Sequence, residues 1–422
     1  MGSAAGIVVV ILAMMTTMMM SLCSSLAAAR VVTTRWRRHR RDVVAPPAGG
    51  GGACALAVAP SGYPCEEHEV TTGGGYILSL QRIPRGHPGR AGGSSGAGQP
   101  VLLQHGVLAD GMTWLLGSPE ESLAYVLADR GFDVWVANNR GTRWSRRHTS
   151  LDATSWRYWD WSWDDLVVND MPDVVDYVRT RTAHKPHYVG HSMGTLVALA
   201  ALSEGKVSEK LKSATLLSPV AYLSHMTTPL GILLANTFAG ELISDLGVAE
   251  FNPTSPEVTN IVSGLCHNPG INCYDFIRDF TGENYCLNSS AIDVVLQYEP
   301  QPTSTKTLVH FAQTFRAGVL TKYDYVSPEV NVENYGQEEP PAYNMSRIPV
   351  GFPLFLSYGG QDDLADPADV DLLLADLRRG GHSDATMTVQ YLDKFAHLDF
   401  IFGVCAKDYV YKDVVSFLNR FN

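Results

Sequence analysis

Residues 186–202, PHYVGHSMGTLVALAAL, constrain the fold of this chain more than any other segment. The β-branched and aromatic run at the start predicts a strand, and the small apolar residues after Gly194 predict a helix. Only a tight turn separates the two, and it places Ser192 between two glycines. This order is typical of a nucleophile elbow, in which a serine hydroxyl is exposed between a strand and a helix. We therefore predict that Ser192 is a catalytic nucleophile.

A second G-x-S-x-G match, GGSSG at residues 92–96, lacks this context. It lies in a Gly- and Ser-rich stretch with no predicted strand before it and no predicted helix after it. We interpret it as a flexible surface loop.

Strands and helices alternate over most of the chain. In DPADVDLLLADLRRGG, Asp366 is a predicted N-cap and the apolar positions share one helical face. The alternation predicts an α/β fold with a mostly parallel sheet covered by helices on both faces. It stops at residues 219–344, a predicted inserted cap between core segments 61–218 and 345–422. The predicted strands are 76–83, 101–104, 134–137, 187–189, 214–217, 354–358 and 387–392.

The N-terminal part of the chain is predicted to lie outside the fold. Residues 1–29 contain an apolar run and no charged side chain, which indicates a secretory signal peptide cleaved after Ala29. No basic residue precedes the run and several arginines follow it, so an uncleaved anchor or an organellar transit peptide remain alternatives. Residues 30–60, which are rich in Arg, Gly and Ala, are predicted to form a disordered lead-in.

Composition restricts the partners and the compartment. A formal net charge of −11 argues against a nucleic-acid-binding protein, and no obligate protein partner is evident. Three clustered cysteines, Cys266, Cys273 and Cys286, favour disulfide formation in an oxidising compartment, and their spacing fits no common zinc site. The sequons at Asn288 and Asn344 predict N-linked glycans. These features predict a secreted protein or one of the vacuolar–lysosomal lumen, with no bound metal.

A nucleophilic serine requires a general base, which in turn requires an orienting acid. In hydrolases with a nucleophile elbow the acid and then the histidine follow later strands. The predicted strand PLFLSY is followed by Asp362 and Asp363, and the predicted strand MTVQYL is followed by His397. The backbone N–H groups of Met193, next to the nucleophile, and of Val107, in VLLQHGVLADG, are predicted to form the oxyanion hole.

These motifs and their order resemble the acid lipase family of α/β-hydrolases, which includes gastric and lysosomal acid lipases and their plant relatives. The resemblance extends from Gly62 to near the C-terminus, and GYPCEEH and GHSMG are most similar to the plant branch. The matching blocks are GYPCEEHEVTTGGGYILSLQRIP, VLLQHGVLADGMTW, LADRGFDVWVANNRGTRWSRRH, YWDWSWDDL, VGHSMGT, GGQDDLADPADV and FAHLDFI.

The resemblance implies specific roles for these residues. GGQDDLAD is similar to the family block GGNDLLAD, which implies a triad of Ser192, Asp362 and His397 and places Asp363 at a leucine position. It also implies that Val107 and Met193 supply the oxyanion N–H groups. Together with their proximity, a loose match to a disulfide of the family's cap predicts that two of the clustered cysteines, Cys266 and Cys273, are paired.

The family implies a serine ester hydrolase that forms an acyl-enzyme and needs no cofactor. The expected substrate is a neutral lipid at a lipid–water interface, triacylglycerol first, and the apolar stretch PLGILLANTFAGELI in the predicted cap agrees with it. Steryl esters or short-chain esters are alternative substrates, because a triad alone does not select among them. A non-catalytic lipid-binding protein is the alternative from another functional class.

Overall fold

The computed structural model describes residues 52–89, 98–245, 247–254, 276–287 and 289–422. The predicted signal peptide, the loop at residues 92–96, Asn288 and the predicted Cys266–Cys273 pair lie outside the described residues.

A nine-stranded sheet forms the centre of the fold, and two further strands pair separately. The strands are β1 Glu66–Thr71, β2 Tyr76–Ile83, β3 Pro100–Gln104, β4 Asp133–Ala137, β5 Arg147–His148, β6 His187–His191, β7 Ala214–Leu217, β8 Glu250–Phe251, β9 Thr303–Ser304, β10 Leu354–Gly359 and β11 Met387–Leu392. The order in the large sheet is β1-β2-β4-β3-β6-β7-β10-β11, with β5 paired to β2, and the separate pair is β8–β9. The pairs from β4 through β3, β6, β7 and β10 to β11 are all parallel, and the β1–β2, β2–β4 and β2–β5 pairs are antiparallel.

The mostly parallel sheet confirms the predicted fold class, and each predicted strand corresponds to an observed one. Strand β1 was not predicted. It is an antiparallel edge strand in which only Val70 is buried, so its sequence EEHEVT carries no alternating apolar pattern.

The described α-helices are α1 Leu123–Asp129, α2 Trp163–Asp165, α3 Met171–Thr182, α4 Met193–Ser203, α5 Pro229–Asn236, α6 Ala239–Asp245, α7 Phe276–Thr281, α8 Ser289–Tyr298, α9 Thr305–Ala317, α10 Pro328–Tyr335, α11 Pro367–Arg379, α12 Asp399–Phe402 and α13 Lys412–Arg420.

Helices cover both faces of the sheet. Alternate residues of β3 show this, because Leu102 packs in one apolar cluster with α3, α4 and α11, whereas Val101 and Leu103 pack in another with α1 and α13. Asp366 caps α11 as predicted, since its carboxylate accepts the Ala368 N–H at 2.8 Å.

The predicted disordered lead-in at residues 30–60 is wrong for residues 52–60. A helical turn at Cys54–Val58 is part of the fold, and Ala53 and Val58 are fully buried. The disulfide between Cys54 and Cys65 joins this turn to the chain just before β1. The composition of residues 52–60 resembles that of a linker, but buried side chains and a disulfide hold them in the fold. Composition alone reveals neither feature.

The described parts of the predicted insertion, residues 219–344, are mainly helical and comprise α5 to α10 with the short β8–β9 pair. Of its three clustered cysteines only Cys286 is described, and it forms a disulfide with Cys405, which is 119 residues away in sequence. The disulfide therefore binds the predicted insertion covalently to the C-terminal part of the chain. No helix in the described ranges is both long and apolar enough to cross a bilayer.

Candidate active site

Ser192 lies in the turn between β6 and α4 with φ +54° and ψ −121°, a conformation that is costly for a residue with a side chain. Its neighbours permit the turn because they are glycines. A Cβ atom on Gly190 would lie 2.8 Å from the Gly194 carbonyl oxygen, and one on Gly194 would lie 2.6 Å from the Gln104 carbonyl oxygen. The Ser192 N–H donates to the Leu217 carbonyl at 3.2 Å, which ties the turn to the neighbouring strand.

His397 and Asp362 are in direct contact at the same edge of the sheet. The His397 Nδ1 atom lies 3.0 Å from each carboxylate oxygen of Asp362, and the two residues are 3% and 1% exposed. Since a carboxylate can only accept, Nδ1 carries a proton, and in the neutral form of such a ring Nε2 is the proton acceptor. This is the tautomer that a general base requires.

Asp362 is also held in its ionised form. Its Oδ1 atom accepts the N–H groups of Leu364 at 3.0 Å and Ala365 at 2.8 Å. Burial opposes the negative charge, but the His397 ring and these hydrogen bonds together keep the pKa of Asp362 below its ordinary value.

The neighbouring Asp363 has a different partner. Its Oδ1 atom accepts the Thr227 hydroxyl at 2.5 Å, and its carbonyl accepts the Thr227 N–H at 3.1 Å. Thr227 belongs to the beginning of the predicted insertion. The two adjacent carboxylates thus have separate contacts, one with the imidazole and one with the insertion.

Residues 281–286 of the predicted insertion bind the backbone of residues 396–399, the histidine loop; we call residues 281–286 the histidine clamp. The His397 N–H donates to the Thr281 carbonyl at 3.1 Å, and the Leu398 N–H donates to Asn284 Oδ1 at 3.0 Å. The N–H groups of His397 and Leu398 therefore have acceptors supplied by residues more than a hundred positions earlier. Sequence reasoning did not find these contacts.

Asp399 joins the histidine clamp to the histidine loop from the other direction. Its buried carboxylate accepts the Ala396 N–H at 2.9 Å, the Tyr285 N–H at 2.7 Å and the Cys286 N–H at 2.9 Å. The Cys286–Cys405 disulfide closes the same junction covalently. The backbone around His397 is consequently fixed by both hydrogen bonds and a covalent bond.

His191, directly before Ser192, connects the turn between β6 and α4 to the same loop. Its Nε2 atom donates to the His397 carbonyl at 2.9 Å, and the two rings are 4.8 Å apart. Burial lowers the pKa of His191 to about 3, so the ring is neutral and serves as a hydrogen-bond donor. Its role is structural, because it joins two turns of the backbone by a hydrogen bond.

The loop after β3 lies directly against the serine. A Cβ atom on Gly106 would be 3.0 Å from Ser192 Cβ and 3.4 Å from Ser192 Oγ, so a larger residue there would be crowded against the serine. Val107 follows this glycine. Met193 is the first residue of α4, where a backbone N–H has no acceptor within the helix. The residues predicted to form the oxyanion hole therefore belong to the two turns that meet at Ser192.

The site uses backbone and side-chain groups that suit acyl transfer. Ser192, Val107, Asp362 and His397 follow four parallel strands, β6, β3, β10 and β11, whose carboxyl ends lie at one edge of the sheet. Within the described ranges, no three His, Cys, Asp or Glu side chains converge as a metal site would require.

Two family models match this chain. The model described as "alpha/beta hydrolase fold" covers residues 99–404, and "Partial alpha/beta-hydrolase lipase region" covers residues 56–118. Among curated relatives, Triacylglycerol lipase 2 of Arabidopsis thaliana is 50% identical over 367 residues, which is 87% of each chain. Triacylglycerol lipase 1 of the same organism is 40% identical over 86% of this chain and 89% of its own. Gastric triacylglycerol lipase of Homo sapiens is 35% identical over 85% and 89%.

Solved structures show the same fold at low sequence identity. A monoglyceride lipase from Saccharomyces cerevisiae, crystallised with a substrate analogue, matches with a TM-score of 0.56 and 13% identity over 85% of this chain and 96% of its own. A carboxyl esterase from Bacillus coagulans matches with a TM-score of 0.52 and 14% identity over 85% and 98%.

Proposed function

The chain belongs to the lipase group of the α/β-hydrolase-fold family, and on that premise we propose that it hydrolyses acyl esters of neutral lipids, triacylglycerol first. The nucleophile is Ser192, the base is His397 and the orienting acid is Asp362. One observation carries this assignment: a buried imidazole, hydrogen-bonded through Nδ1 to a buried ionised carboxylate, follows the last strand of the sheet that presents Ser192.

The first half of the reaction forms an acyl-enzyme. His397 Nε2 takes the hydroxyl proton as Ser192 Oγ attacks the ester carbonyl carbon, and Asp362 stabilises the resulting imidazolium. The negative charge that develops on the carbonyl oxygen is bound by the Val107 and Met193 N–H groups. When the tetrahedral intermediate collapses, the carbon–oxygen bond to the glyceride breaks, and His397 gives its proton to the departing alkoxide oxygen.

The second half releases the fatty acid. His397 takes a proton from a water molecule as that water attacks the acyl carbon, and the same two N–H groups bind the second oxyanion. Collapse breaks the bond to Ser192 Oγ, which regains its proton from His397. All proton transfers are thus carried by one imidazole, and no cofactor takes part in the proposed steps.

We place the enzyme in the secretory route, either outside the cell or in the vacuolar–lysosomal lumen. Two disulfides, Cys54–Cys65 and Cys286–Cys405, support an oxidising compartment. Asn344 is exposed, and its Oδ1 accepts the Ser346 hydroxyl at 2.6 Å within the sequon, so the site is accessible to glycosylation. Intact mass before and after deglycosylation of secreted protein tests this; protein that keeps its leader and carries no glycan would contradict it.

An ester panel tests the activity. Wild type, Ser192→Ala and the exposed control Ser150→Ala are assayed on long- and short-chain triacylglycerol, a steryl ester and a soluble nitrophenyl ester. We expect wild type and the control to hydrolyse triacylglycerol, and Ser192→Ala to lose at least about 10³-fold in kcat. Preference for steryl or short-chain esters would change the substrate assignment. Wild-type hydrolysis no faster than that of Ser192→Ala would indicate the lipid-binding alternative.

A further inference from the structure

His105, just before the predicted oxyanion loop, makes two hydrogen bonds although its side chain is buried. The Asn139 N–H donates to its Nε2 atom at 3.0 Å, and its Nδ1 atom lies 2.8 Å from the Gly106 carbonyl oxygen. Because a backbone N–H can only donate, Nε2 must be the acceptor. Nδ1 therefore carries the proton and donates to the Gly106 carbonyl. Only this neutral tautomer satisfies both bonds.

The carbonyl that His105 binds shares a peptide unit with the Val107 N–H. This peptide is trans, and in a planar trans peptide the C=O and the N–H point in opposite directions. A donor that fixes the Gly106 carbonyl therefore also fixes the direction of the Val107 N–H, which points away from the imidazole.

The hydrogen bond from His105 restricts a peptide that begins with a glycine, Gly106. A side chain at Gly106 would be crowded against Ser192, and the absence of a Cβ atom lets the peptide rotate more freely. A rotated peptide would direct a carbonyl oxygen toward the place where the oxyanion forms. The Leu108–Ala109 peptide, two peptide units further along, is held separately, because the Leu108 carbonyl accepts the Gln301 N–H at 2.8 Å.

We propose that His105 is a positioning residue of the oxyanion hole: it does not touch the substrate, but its Nδ1–H holds the Gly106–Val107 peptide with the Val107 N–H directed at the oxyanion. The inference rests on the proposed function, because it assigns the residue that orients one of the two N–H donors. Burial lowers the pKa of His105 to about 4, which keeps the ring neutral, and both hydrogen bonds intact, above that pH.

Two substitutions separate the two hydrogen bonds. In His105→Asn the side-chain amide nitrogen can occupy the place of Nδ1, which keeps the donor to Gly106 and loses the acceptor for Asn139. In His105→Gln the longer side chain reaches the place of Nε2, which keeps the acceptor for Asn139 and loses the donor to Gly106. Each variant leaves one buried polar group unpaired, so both should lose stability to a similar degree.

The readout is the steady-state rate on a soluble nitrophenyl ester, with folding checked by circular dichroism. We expect His105→Gln to lose at least about thirtyfold in kcat with KM within about threefold, because loss of one oxyanion donor costs about 10²–10³ in kcat. His105→Asn should stay within about fivefold of wild type. The rate at which a nitrophenyl phosphonate inactivates the enzyme should fall in parallel with kcat, since its attack also develops charge on that oxygen.

The ranking of the two variants decides the proposal. His105→Gln within threefold of wild type, or equal losses in both variants, would overturn it and leave His105 a structural residue. If only one variant folds, that variant decides: a loss above thirtyfold in the Asn variant or below threefold in the Gln variant contradicts the proposal. These outcomes differ from failure of the proposed function, in which wild type itself is inactive or Ser192→Ala remains active.

Discussion

The loop that carries His397 and the loop that carries Val107 are both bound by the insertion, but the two junctions differ in their chemistry. On the histidine side, the histidine clamp supplies acceptors for backbone N–H groups, and the Cys286–Cys405 disulfide adds a covalent bond. On the oxyanion side, two buried carboxyl groups, Asp110 and Glu299, meet beside Arg143. The first junction contains a covalent bond that forms by oxidation, whereas the second contains buried carboxyl groups whose pKa values are raised by burial.

The oxyanion junction contains a carboxyl group that is not fully paired. Glu299 Oε1 accepts the Asp110 N–H at 3.1 Å, and Arg143 Nε donates to Asp110 Oδ2 at 2.8 Å. Glu299 Oε2 is buried and has no hydrogen-bond partner among the described residues. Burial, and next the negative charge of Asp110, raise the pKa of Glu299 well above its ordinary value. A neutral Glu299 therefore belongs to the folded state.

The largest expected effect separates the two adjacent carboxylates on the histidine side. Asp362→Asn should lose at least about 100-fold in kcat on a soluble ester, because the amide cannot stabilise the imidazolium and favours the wrong tautomer. Asp363→Asn should lose less than about tenfold, since Asp363 bonds Thr227 and not His397. Steady-state kinetics on folded variants decide this. The reverse ranking would move the acid to Asp363.

Removal of the disulfide tests the histidine junction. Cys286→Ser with Cys405→Ser should lose about 2–5 kcal/mol in the free energy of unfolding, and about three- to tenfold in kcat, because the histidine clamp then keeps only its hydrogen bonds. Cys54→Ser with Cys65→Ser is the matched control, and it should lose stability with kcat within about twofold. Denaturant unfolding and kinetics measure both pairs. Equal changes in kcat would show that the histidine clamp has no special part in positioning the base.

The smallest expected effect concerns the oxyanion junction and pH. The pKa of Glu299 is raised in the folded state, so its stabilising contribution is complete below about pH 4.5 and is lost as the pH rises toward the folded-state pKa. Glu299→Gln keeps a neutral group at every pH. Its Tm relative to wild type should therefore increase by at least about 2 °C between pH 5 and pH 8.

Thermal unfolding at several pH values measures this difference. The exposed Glu333→Gln serves as the control, and its Tm should follow that of wild type. A constant difference between Glu299→Gln and wild type across the pH range would argue against a protonated Glu299.

Sequence predicted the parts of the molecule whose signals are local. The strands after which Ser192, Asp362 and His397 lie carry short apolar or alternating runs, and Asp366 with Pro367 is a local helix start that the structure confirms. The assignment of Asp362 as the acid is still a prediction. Its register came from the resemblance to a family block, because two adjacent aspartates have no local feature that distinguishes them.

The features that the sequence did not predict lack a local apolar pattern or depend on long-range contacts. Strand β1 is an exposed charged edge, and the Cys54–Val58 turn resembles a linker in composition. The bond from the His397 N–H to the Thr281 carbonyl joins two backbone groups, which leave no mark in side-chain pattern. His105 could have been noticed, since a buried histidine next to a catalytic loop must find two partners, but the identity of those partners required the fold.

We propose that the two junctions hold the loops of His397 and Val107 around one nucleophile, Ser192. The most direct test is stoichiometric inactivation by a nitrophenyl alkylphosphonate, followed by peptide mass spectrometry and titration of the remaining ester hydrolysis. We predict that hydrolysis falls to zero as one equivalent is incorporated, with the phosphonyl group on Ser192 and on no other residue. Incorporation at another residue with loss of activity, or full hydrolysis by protein whose Ser192 is completely labelled, would contradict the account.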